Sequence, residues 1–312
     1  MPRASTGLFS TDQFESVHAR RRLAIEIDGE ARMATRRSPE WLRHGIKAAW
    51  FIRLCLRSVR LWRRARRNAF DIRIVEHELP LPGLDAALDG FTLLHLTDLH
   101  IDFDDACLPA LIESVRHLRY DACVMTGDFR AKTYGPIDAT IECLGALRGH
   151  LREPIYAVLG NHDSIRMVAP LQSIGVRVLM NESVELRRGG ASVTLAGIDD
   201  AHHFHLDDVD AAARGRRPNA PAILLSHTPE AHRAAERAGF DAMLCGHTHG
   251  GQICLPGGIP MTLDARIPRR FGRGRWRYRR MLGYTSAGSG TSIVTARLNC
   301  PAEVTLHRLR RA

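Results

Sequence analysis

Five short apolar runs, each followed at once by acidic, amide or imidazole side chains, constrain the fold of this chain more than any other feature. The runs span residues 91–97, 121–126, 155–159, 222–226 and 241–245. Their lengths suit buried strands. In layered α/β proteins, ligands gather at the carboxyl ends of strands. The pattern therefore predicts an α/β fold in which five strand ends face one small volume.

The segments that follow these runs carry side chains that bind divalent metals. In chain order they are Asp98-Leu99-His100, Gly127-Asp128, Gly160-Asn161-His162-Asp163, His227 and Gly246-His247-Thr248-His249-Gly250. Mixed imidazole and carboxylate sets suit borderline divalent ions. The segments hold more ligands than one ion normally takes from a protein. Two ions that share a bridging carboxylate are therefore predicted.

Glycines within these segments indicate that the ligand-bearing loops approach one another closely. Gly127 permits a tight turn before Asp128. Asp128 lies between the other ligand groups in sequence, which makes it the natural bridge. Asn161 offers a neutral amide oxygen, and the spacing of His247 and His249 allows each to serve a different ion.

The positive charge of the chain lies at its N-terminal end. Lys and Arg outnumber Asp and Glu by 44 to 34 overall and by 16 to 6 within residues 1–70, so the remainder is neutral. A neutral remainder gives no electrostatic reason to expect nucleic-acid binding. The seven cysteines form no CxxC pair, which favours free thiols in a reducing, cytoplasmic location. Cys245 ends an apolar run and is expected to pack in the core.

The N-terminal segment is predicted to have two parts. Residues 1–40 are polar, contain arginines and have no sustained periodicity, and we expect disorder there. Residues 41–70 follow a helical period with one apolar face and one basic face. The apolar face comprises Ala48, Ile52, Cys55, Val59 and Trp62, and the basic face comprises Arg53, Arg57, Arg60, Arg64 and Arg67.

The helix predicted over residues 41–70 is too charged to be a transmembrane span. Its longest Arg-free run is His44–Ile52, whereas about 20 apolar residues are needed to cross a bilayer. No apolar region follows Arg20-Arg21-Arg22, which argues against a signal peptide. A basic amphipathic helix with aromatic residues is typical of one that lies in an anionic membrane surface. Docking on the protein's own domain and binding of a nucleic acid or protein partner are the alternatives.

The motifs Asp-Leu-His, Gly-Asp, Gly-Asn-His-Asp, His and Gly-His-Thr-His-Gly-Gly, in this order, resemble those of the calcineurin-like metallophosphoesterase superfamily. Residues 224–229 (LLSHTP), 246–258 (GHTHGGQICLPGG) and 285–306 (TSAGSGTSIVTARLNCPAEVTL) are similar to its bacterial membrane-associated phosphodiesterase branch, which includes YkuE- and YaeI-like proteins. The resemblance covers residues 72–309. It implies one domain over residues 71–312, a four-layer α/β/β/α sandwich of two mixed sheets with a dinuclear metal site at the carboxyl ends of strands.

The resemblance also implies a role for each polar side chain. Asp98, His100 and His249 would hold one ion, Asn161, His227 and His247 would hold the other, and Asp128 would bridge them. His162 would face the substrate, where it would stabilise phosphoryl charge or protonate the leaving group. Asp163 would orient His162 from behind.

These roles imply a metal-dependent phosphoester hydrolase, and specifically a phosphodiesterase that acts on a membrane-proximal or lipid-linked phosphate with a water activated by both ions. A nuclease or cyclic-nucleotide phosphodiesterase with the same centre is an alternative. A non-catalytic scaffold is another, and the complete ligand set argues against it. The donors accept Mn, Fe, Zn or Co. Ala131 stands where purple acid phosphatases have a Tyr ligand, which argues against a tyrosinate–iron centre.

Three further stretches carry expectations about the rim of the site. Arg130 follows the Gly-Asp motif and is expected either to contact phosphate or to be solvated. Residues 199–205 (DDAHHFH) are expected to flank the cleft. Residues 266–280 hold eight arginines interleaved with aromatic residues. A flexible loop of this composition would grip a phosphate group or a membrane surface, or else be solvated.

Overall fold

The computed structural model describes residues 16–35, 40–217 and 220–312. Its strands are β1 Arg73–Leu81, β2 Thr92–Leu96, β3 Ala122–Met125, β4 Ile155–Ala157, β5 Val176–Val178, β6 Glu182–Arg188, β7 Ala191–Gly197, β8 Ala222–Leu225, β9 Ala242–Cys245, β10 Cys254–Leu255, β11 Ile259–Pro260, β12 Gly274–Tyr278, β13 Met281–Thr285 and β14 Glu303–Arg311. Its α-helices are α1 Val17–Thr35, α2 Glu40–Ser58, α3 Trp62–Asn68, α4 Cys107–Val115, α5 Asp138–Arg148, α6 Val168–Ser173, α7 Val209–Ala213 and α8 His232–Arg237. The five strands predicted from the apolar runs are confirmed as β2, β3, β4, β8 and β9.

Two six-stranded mixed sheets form the centre of the fold. Their strand orders are β1-β14-β2-β3-β4-β5 and β12-β13-β9-β8-β7-β6. Strands β3, β8 and β9 are buried along their whole length, because one face meets the other sheet and the opposite face is covered by further structure. This double burial explains why their sequences are apolar runs rather than alternating patterns.

Three apolar clusters correspond to the spaces between layers. One lies between the sheets and includes Leu93, Val124 and Leu225. A second packs α4, α5 and α6 on the outer face of the first sheet, and a third packs α7 and α8 on the outer face of the second. Cys245 belongs to this third cluster, as the sequence predicts. The predicted four-layer α/β/β/α sandwich is confirmed.

The pairing of the central strands brings the polar loops to one edge. Strands β2, β3 and β4 pair in parallel, with Leu96 opposite Met125 and Met125 opposite Ala157. Strands β8 and β9 are also parallel, with Leu225 opposite Leu244. Because parallel strands end at the same edge, all five ligand-bearing loops leave the two sheets on the same side.

The N-terminal segment differs from the disorder expected over residues 1–40. Residues 17–35 form α1, in which Arg22, Leu23 and Glu26 are buried. Residues 1–15 and 36–39 lie outside the described residues. A helix forms here because its polar side chains find partners on the domain, which its weak apolar periodicity did not indicate.

The helix predicted over residues 41–70 is two helices, α2 and α3. The break is at Arg60, whose φ of 58° is left-handed, and the N–H of Leu61 donates to the carbonyl of Leu56 (2.8 Å). This is the pattern of a helix C-terminus that ends in a left-handed residue. The apolar contact face also differs from the prediction, since Leu56 is buried whereas Val59 is exposed. Among the described residues, no helix combines the length and the apolarity that crossing a bilayer requires.

Candidate metal centre

The loops that follow β2, β3, β4, β8 and β9 are joined by backbone hydrogen bonds. The N–H of Asp98 donates to the carbonyl of Gly127 (2.9 Å), and the N–H of Gly246 donates to the carbonyl of His227 (2.9 Å). A Cβ on Gly127 would lie 2.4 Å from the nitrogen of Gly160. Glycine is therefore required where the second and third loops touch.

Five of the seven predicted metal ligands have a left-handed backbone conformation. Their φ angles are 51° for Asp98, 38° for His100, 55° for Asp128, 71° for His247 and 49° for His249. A non-glycine residue in this region costs of order 1–3 kcal/mol, and such residues cluster at functional sites. Their concentration at the strand ends indicates that the backbone is arranged to direct these side chains inward.

The structure brings the predicted ligands together in two groups. Asp98, His100 and His249 form the first group, and Asp128, His227 and His247 form the second, with donor atoms within 4.8 Å of one another in each. The amide oxygen of Asn161 lies 3.0 Å from Nε2 of His227 and therefore joins the second group.

The carboxylate of Asp128 faces both groups. Its Oδ2 lies 3.8 Å from Nε2 of His100 and 3.3 Å from Nε2 of His227. Its Oδ1 accepts a hydrogen bond from the backbone N–H of His162 (2.8 Å), which fixes the carboxylate in this orientation. Asp128 thus lies between the two groups.

Hydrogen bonds to backbone carbonyls orient three of the imidazoles. The donors are His100 Nδ1, His227 Nδ1 and His247 Nε2, and the acceptors are the carbonyls of Arg130, Thr126 and Asp264 at 2.9, 2.7 and 2.5 Å. When these rings are neutral, the opposite nitrogens carry lone pairs, and Nε2 of His227 faces Nδ1 of His247 at 3.2 Å. Lone pairs this close repel unless a cation lies beside them, so the donor set fits divalent ions held by neutral imidazoles.

Burial changes the pKa values of the site in a way that favours a bound cation. It raises the pKa of Asp98 to about 7, and it lowers the pKa of His100 and of His247 to about 4. Burial is the largest single influence on His227 and acts to lower its pKa, but the carboxylates of Asp128, Asp98 and Asp200 together outweigh burial and raise that pKa to about 10. A site that retains a proton so strongly beside two buried carboxylates is one that stabilises a cation.

His162 faces a cavity beside the two groups. Its Nε2 lies 3.9 Å from Oδ2 of Asp128, its Nδ1 lies 3.5 Å from the hydroxyl of Thr133, and its side chain is 24% exposed. The cavity has a volume of about 380 Å³, and Asn161 and His247 also line it. A molecule in this cavity would contact His162 and the metal ligands together.

Asp163 does not orient the His162 ring, contrary to the prediction. Its buried carboxylate accepts hydrogen bonds from the backbone N–H groups of Asp128 (2.7 Å), Phe129 (2.9 Å) and Gly160 (2.8 Å). It thereby joins the Gly-Asp loop to the Gly-Asn-His-Asp loop. Asp163 is placed to fix the distance between the loops that carry Asp128 and Asn161.

Neither expectation for Arg130 is correct, because its side chain is buried and committed to the backbone. The guanidinium of Arg130 donates to the carbonyls of Thr133, Gly135 and His162. It therefore neither contacts the cavity nor is solvated. Its contacts hold the loop that supports His162.

The loop at residues 199–205 flanks the cleft, as predicted. The carboxylate of Asp200 accepts hydrogen bonds from the N–H groups of His202 (3.1 Å), His203 (2.6 Å) and Phe204 (2.7 Å). The ring of His202 packs on that of His247, with centroids 4.2 Å apart. The acidic residues thus fold the loop, and one of its histidines borders the site.

The segment at residues 266–280 is not the flexible aromatic loop that was predicted. It contains β12, which pairs with β13, and both Phe271 and Trp276 are buried in the third apolar cluster. The indole N–H of Trp276 donates to the hydroxyl of Thr285 (2.8 Å). Its arginines are mostly exposed. The aromatic residues are therefore core residues and are not free to contact a membrane.

Two buried arginines that the sequence pattern does not indicate support the site. Arg22 donates to the carbonyl of Asp163 (2.8 Å) from α1. Arg297 donates to the carbonyls of Ala287 (2.7 Å) and Gly290 (2.6 Å), and Gly290 N–H in turn donates to the carbonyl of Asp98 (2.9 Å). Neither position carries a signal in the sequence, because the polar stripe that contains Arg22 is also the pattern of a solvated helix.

Comparison with known proteins gives a consistent result. Residues 91–251 match the calcineurin-like phosphoesterase family. A transmembrane protein with metallophosphoesterase domain from Danio rerio is 28% identical over 259 residues, which cover 77% of this chain and 58% of that protein. The uncharacterized metallophosphoesterase YkoQ of Bacillus subtilis is 26% identical over 256 residues, which cover 79% of this chain and 93% of YkoQ. Phosphodiesterase YaeI of Escherichia coli is 30% identical over 166 residues, which cover 50% of this chain and 58% of YaeI. This chain thus spans less than two thirds of the Danio rerio relative.

Proposed function

The chain belongs to the calcineurin-like phosphoesterase family, and from this premise we propose that it is a metal-dependent phosphodiesterase that hydrolyses a phosphate ester at a membrane surface. The likeness to YaeI, which is named a phosphodiesterase, supports the reaction class. The observation that carries the proposal is the convergence of two buried carboxylates and four imidazoles beside one cavity.

The proposal assigns a role to each residue of the site. Asp98, His100 and His249 would hold one divalent ion, Asn161, His227 and His247 would hold the other, and Asp128 would bridge them. When bound, the ions supply charge stabilisation and activate a water for attack on phosphorus. Nε2 of His162, on the metal side of its ring, donates a hydrogen bond to a phosphoryl oxygen or a proton to the leaving oxygen.

Substitution of Asp128 and His162 separates metal binding from proton transfer. With bis-p-nitrophenyl phosphate and added Mn²⁺, we expect Asp128→Ala to lose both activity and bound metal. We expect His162→Ala to retain metal while its kcat falls about 10²–10⁴-fold. Elemental analysis and initial rates measure the two properties, and His150→Ala, at an exposed histidine, is the matched control. Wild-type turnover by Asp128→Ala would refute the proposal.

The membrane part of the proposal rests on helix α2. Trp50, Phe51 and Leu54 are exposed on it, beside the exposed cations of Arg53 and Arg57. An aromatic and basic helix surface favours the interface of an anionic bilayer. Phe51 also lines the cavity, so a bilayer bound by α2 would lie at the entrance to the site. We therefore place the protein at the inner, anionic face of a membrane.

Vesicle binding by the full chain tests this placement. The double variant Trp50→Ser/Arg53→Gln is expected to bind vesicles of mixed phosphatidylcholine and phosphatidylglycerol at least tenfold more weakly than the wild type, because about 1 kcal/mol per basic residue and the burial of an aromatic ring are lost. Sedimentation with the vesicles measures the binding. Ile74→Ser, at an exposed residue of β1, is the control. Equal binding by the double variant and the wild type would contradict the role of α2.

A further inference from the structure

The cavity beside the metal ligands has two chemically different halves. One half contains Asp128, Asn161, His162, His247 and His249. The other, which we call the apolar half, contains Phe51, Ile52, Ile253, Met261, Ile293 and Val294. A ligand that fills both halves must combine a metal-binding group with an apolar one.

The floor of the apolar half is part of a packed core. Ile52, Ile253 and Val294 contact the cluster that joins α2 and α3 to the domain. The rim is different, because Phe51 and Met261 are each 61% exposed and Ile293 is 54% exposed. Three large apolar side chains thus stand exposed around a cavity that leads to the catalytic groups. Clustered exposure of this kind marks a binding surface rather than ordinary surface composition.

Backbone strain at the rim supports a binding role. Ile293 has a φ of 65°, a rare value for a β-branched residue. The N–H of Val294 donates to the carbonyl of Ser292 (2.6 Å), which makes Ile293 the centre of a γ-turn in its strained, positive-φ form. Strain of this kind persists where surrounding contacts enforce it, and it is concentrated at functional sites.

The enforcing contacts come from Gln252. Its side-chain amide donates to the carbonyls of Ser292 (2.9 Å) and Val294 (2.9 Å), and its amide oxygen accepts from the N–H of Ser292 (2.8 Å). Gln252 itself has a φ of 52° and lines the cavity. One nearly buried side chain thus holds the turn that presents Ile293 at the rim.

We propose that the apolar half binds the hydrocarbon chain of an amphiphilic phosphodiester, whose phosphate lies at the metal ligands. This inference rests on the proposed phosphodiesterase function and names the class of its substrate. The composition of the lining supports this occupant, since the predicted metal ligands form its polar part and the large exposed side chains of its other part are apolar, with Gln252, Thr262 and Ser292 between them. Burial of the chain against Phe51, Met261 and Ile293 removes apolar surface of both partners from water.

A series of chromogenic esters with one leaving group isolates the contribution of the chain. Methyl, butyl and octyl p-nitrophenyl phosphates all release p-nitrophenolate when water replaces it at phosphorus, so their chemistry is matched. With the metal-loaded full chain and monomeric substrate, kcat/KM is expected to rise up to about fourfold for each added methylene until the apolar half is filled. Calorimetric Kd values of methyl, butyl and octyl phosphonate provide a readout that does not need turnover.

Variants at the rim test which residues hold the chain. Met261→Ser and Ile293→Asn are expected to lower the octyl-to-methyl ratio of kcat/KM, and of phosphonate affinity, at least tenfold. Asn tolerates the left-handed conformation of Ile293, so the turn is kept while its apolar side chain is lost. Ile74→Ser is the control, because Ile74 is 49% exposed but lies on β1, outside the cavity lining. Its ratio is expected to equal that of the wild type.

The outcomes distinguish this inference from the proposed function. If the methyl ester is hydrolysed but neither rate nor affinity depends on chain length, the phosphodiesterase proposal stands and the apolar half does not bind the chain. If no ester is hydrolysed but octyl phosphonate binds more tightly and Ile293→Asn removes the gain, the binding inference stands and the catalytic proposal fails. Chain-length dependence that appears only with added vesicles would assign the apolar contact to the bilayer and overturn the inference.

Discussion

Helices α1 and α2 are both 19 residues long and both rich in arginine, but they are attached to the domain in opposite ways. α1 docks through buried charged groups. α2 docks through apolar residues and leaves other apolar residues in solvent. Since both precede the family match at residue 91, the difference indicates what each helix adds to the site.

α1 binds the domain through a stripe of polar residues at four-residue spacing. The members are His18, Arg22, Glu26 and Glu30, and their partners are Asp199 for the first two, Ser164 and Ile165 N–H for Glu26, and Arg166 for Glu30. Three of these partners directly follow the Gly-Asn-His-Asp motif. α1 therefore stabilises the loop that carries Asn161 and His162.

α2 has a different relation to the same site. Leu56 packs with Ala65, Val294 and Leu298 in an apolar cluster, whereas Leu54 on the other side of the helix is exposed. The inner face anchors the helix and the outer face remains available at the cavity entrance. Two basic helices of equal length therefore differ in role: α1 supports the loop that carries Asn161 and His162, whereas α2 forms part of the rim of the cavity.

The largest effect that tests the comparison is expected from Arg22→Met. The change leaves Asp199 and Glu26 buried without their cation, which typically costs about 3–5 kcal/mol. It also removes a donor from the carbonyl of Asp163, so kcat should fall about tenfold or more as the catalytic loop shifts. Urea unfolding and phosphodiesterase rates measure the two effects. Arg32→Met, at an exposed position of the same helix, should change neither, and a stable, active Arg22→Met protein would show that α1 is not anchored by charge.

A smaller effect is expected when the two faces of α2 are compared. Leu56→Ala should cost about 2–3 kcal/mol of unfolding free energy because it opens a cavity in a packed cluster. Leu54→Ala should leave stability unchanged and weaken vesicle binding. Urea unfolding measures the stability of both variants, and sedimentation with vesicles measures their membrane binding. Loss of stability in both variants would mean that the outer face of α2 is packed against the domain as well.

The sequence predicted the strands, and the polar residues that converge at their ends, because these depend on local patterns. Apolar runs followed by Asp, Asn and His at glycine turns are visible in a single sequence. Docking of α1 was not predictable in this way. Arg22 and Glu26 at four-residue spacing are the usual pattern of a solvated helix, and only the presence of Asp199 and Ser164 across the fold makes them buried partners. For the same reason Arg130, Phe271 and Trp276 were assigned to the surface, because their burial depends on contacts between distant segments.

Three buried histidines outside both helices show what burial does to a titratable side chain that has no oppositely charged partner. They therefore provide a contrast to the paired, buried charges that dock α1. His77, His95 and His307 lie between the sheets in a hydrogen-bonded chain that ends at the hydroxyl of Thr126. Burial lowers the pKa of His95 to about 3 and that of His77 to about 4. Unlike Arg22, these groups have no carboxylate partner in the chain of hydrogen bonds, and they are neutral in the folded protein at neutral pH.

The sign of their effect follows from proton linkage. Between pH 6.5 and the lowered pKa values, the unfolded chain binds protons that the folded protein does not, so stability is present at pH 7.5 and is lost as the pH falls. His95 alone should contribute a loss of about 2 kcal/mol between pH 7.5 and 5.0. His95→Gln, which keeps a polar group near Thr126, should therefore lose about 2 kcal/mol less than the wild type over this interval in urea unfolding. Equal losses of unfolding free energy in the two proteins would show that the pKa of His95 is not lowered. Burial of a histidine without a charged partner would then cost less free energy than the comparison with α1 implies.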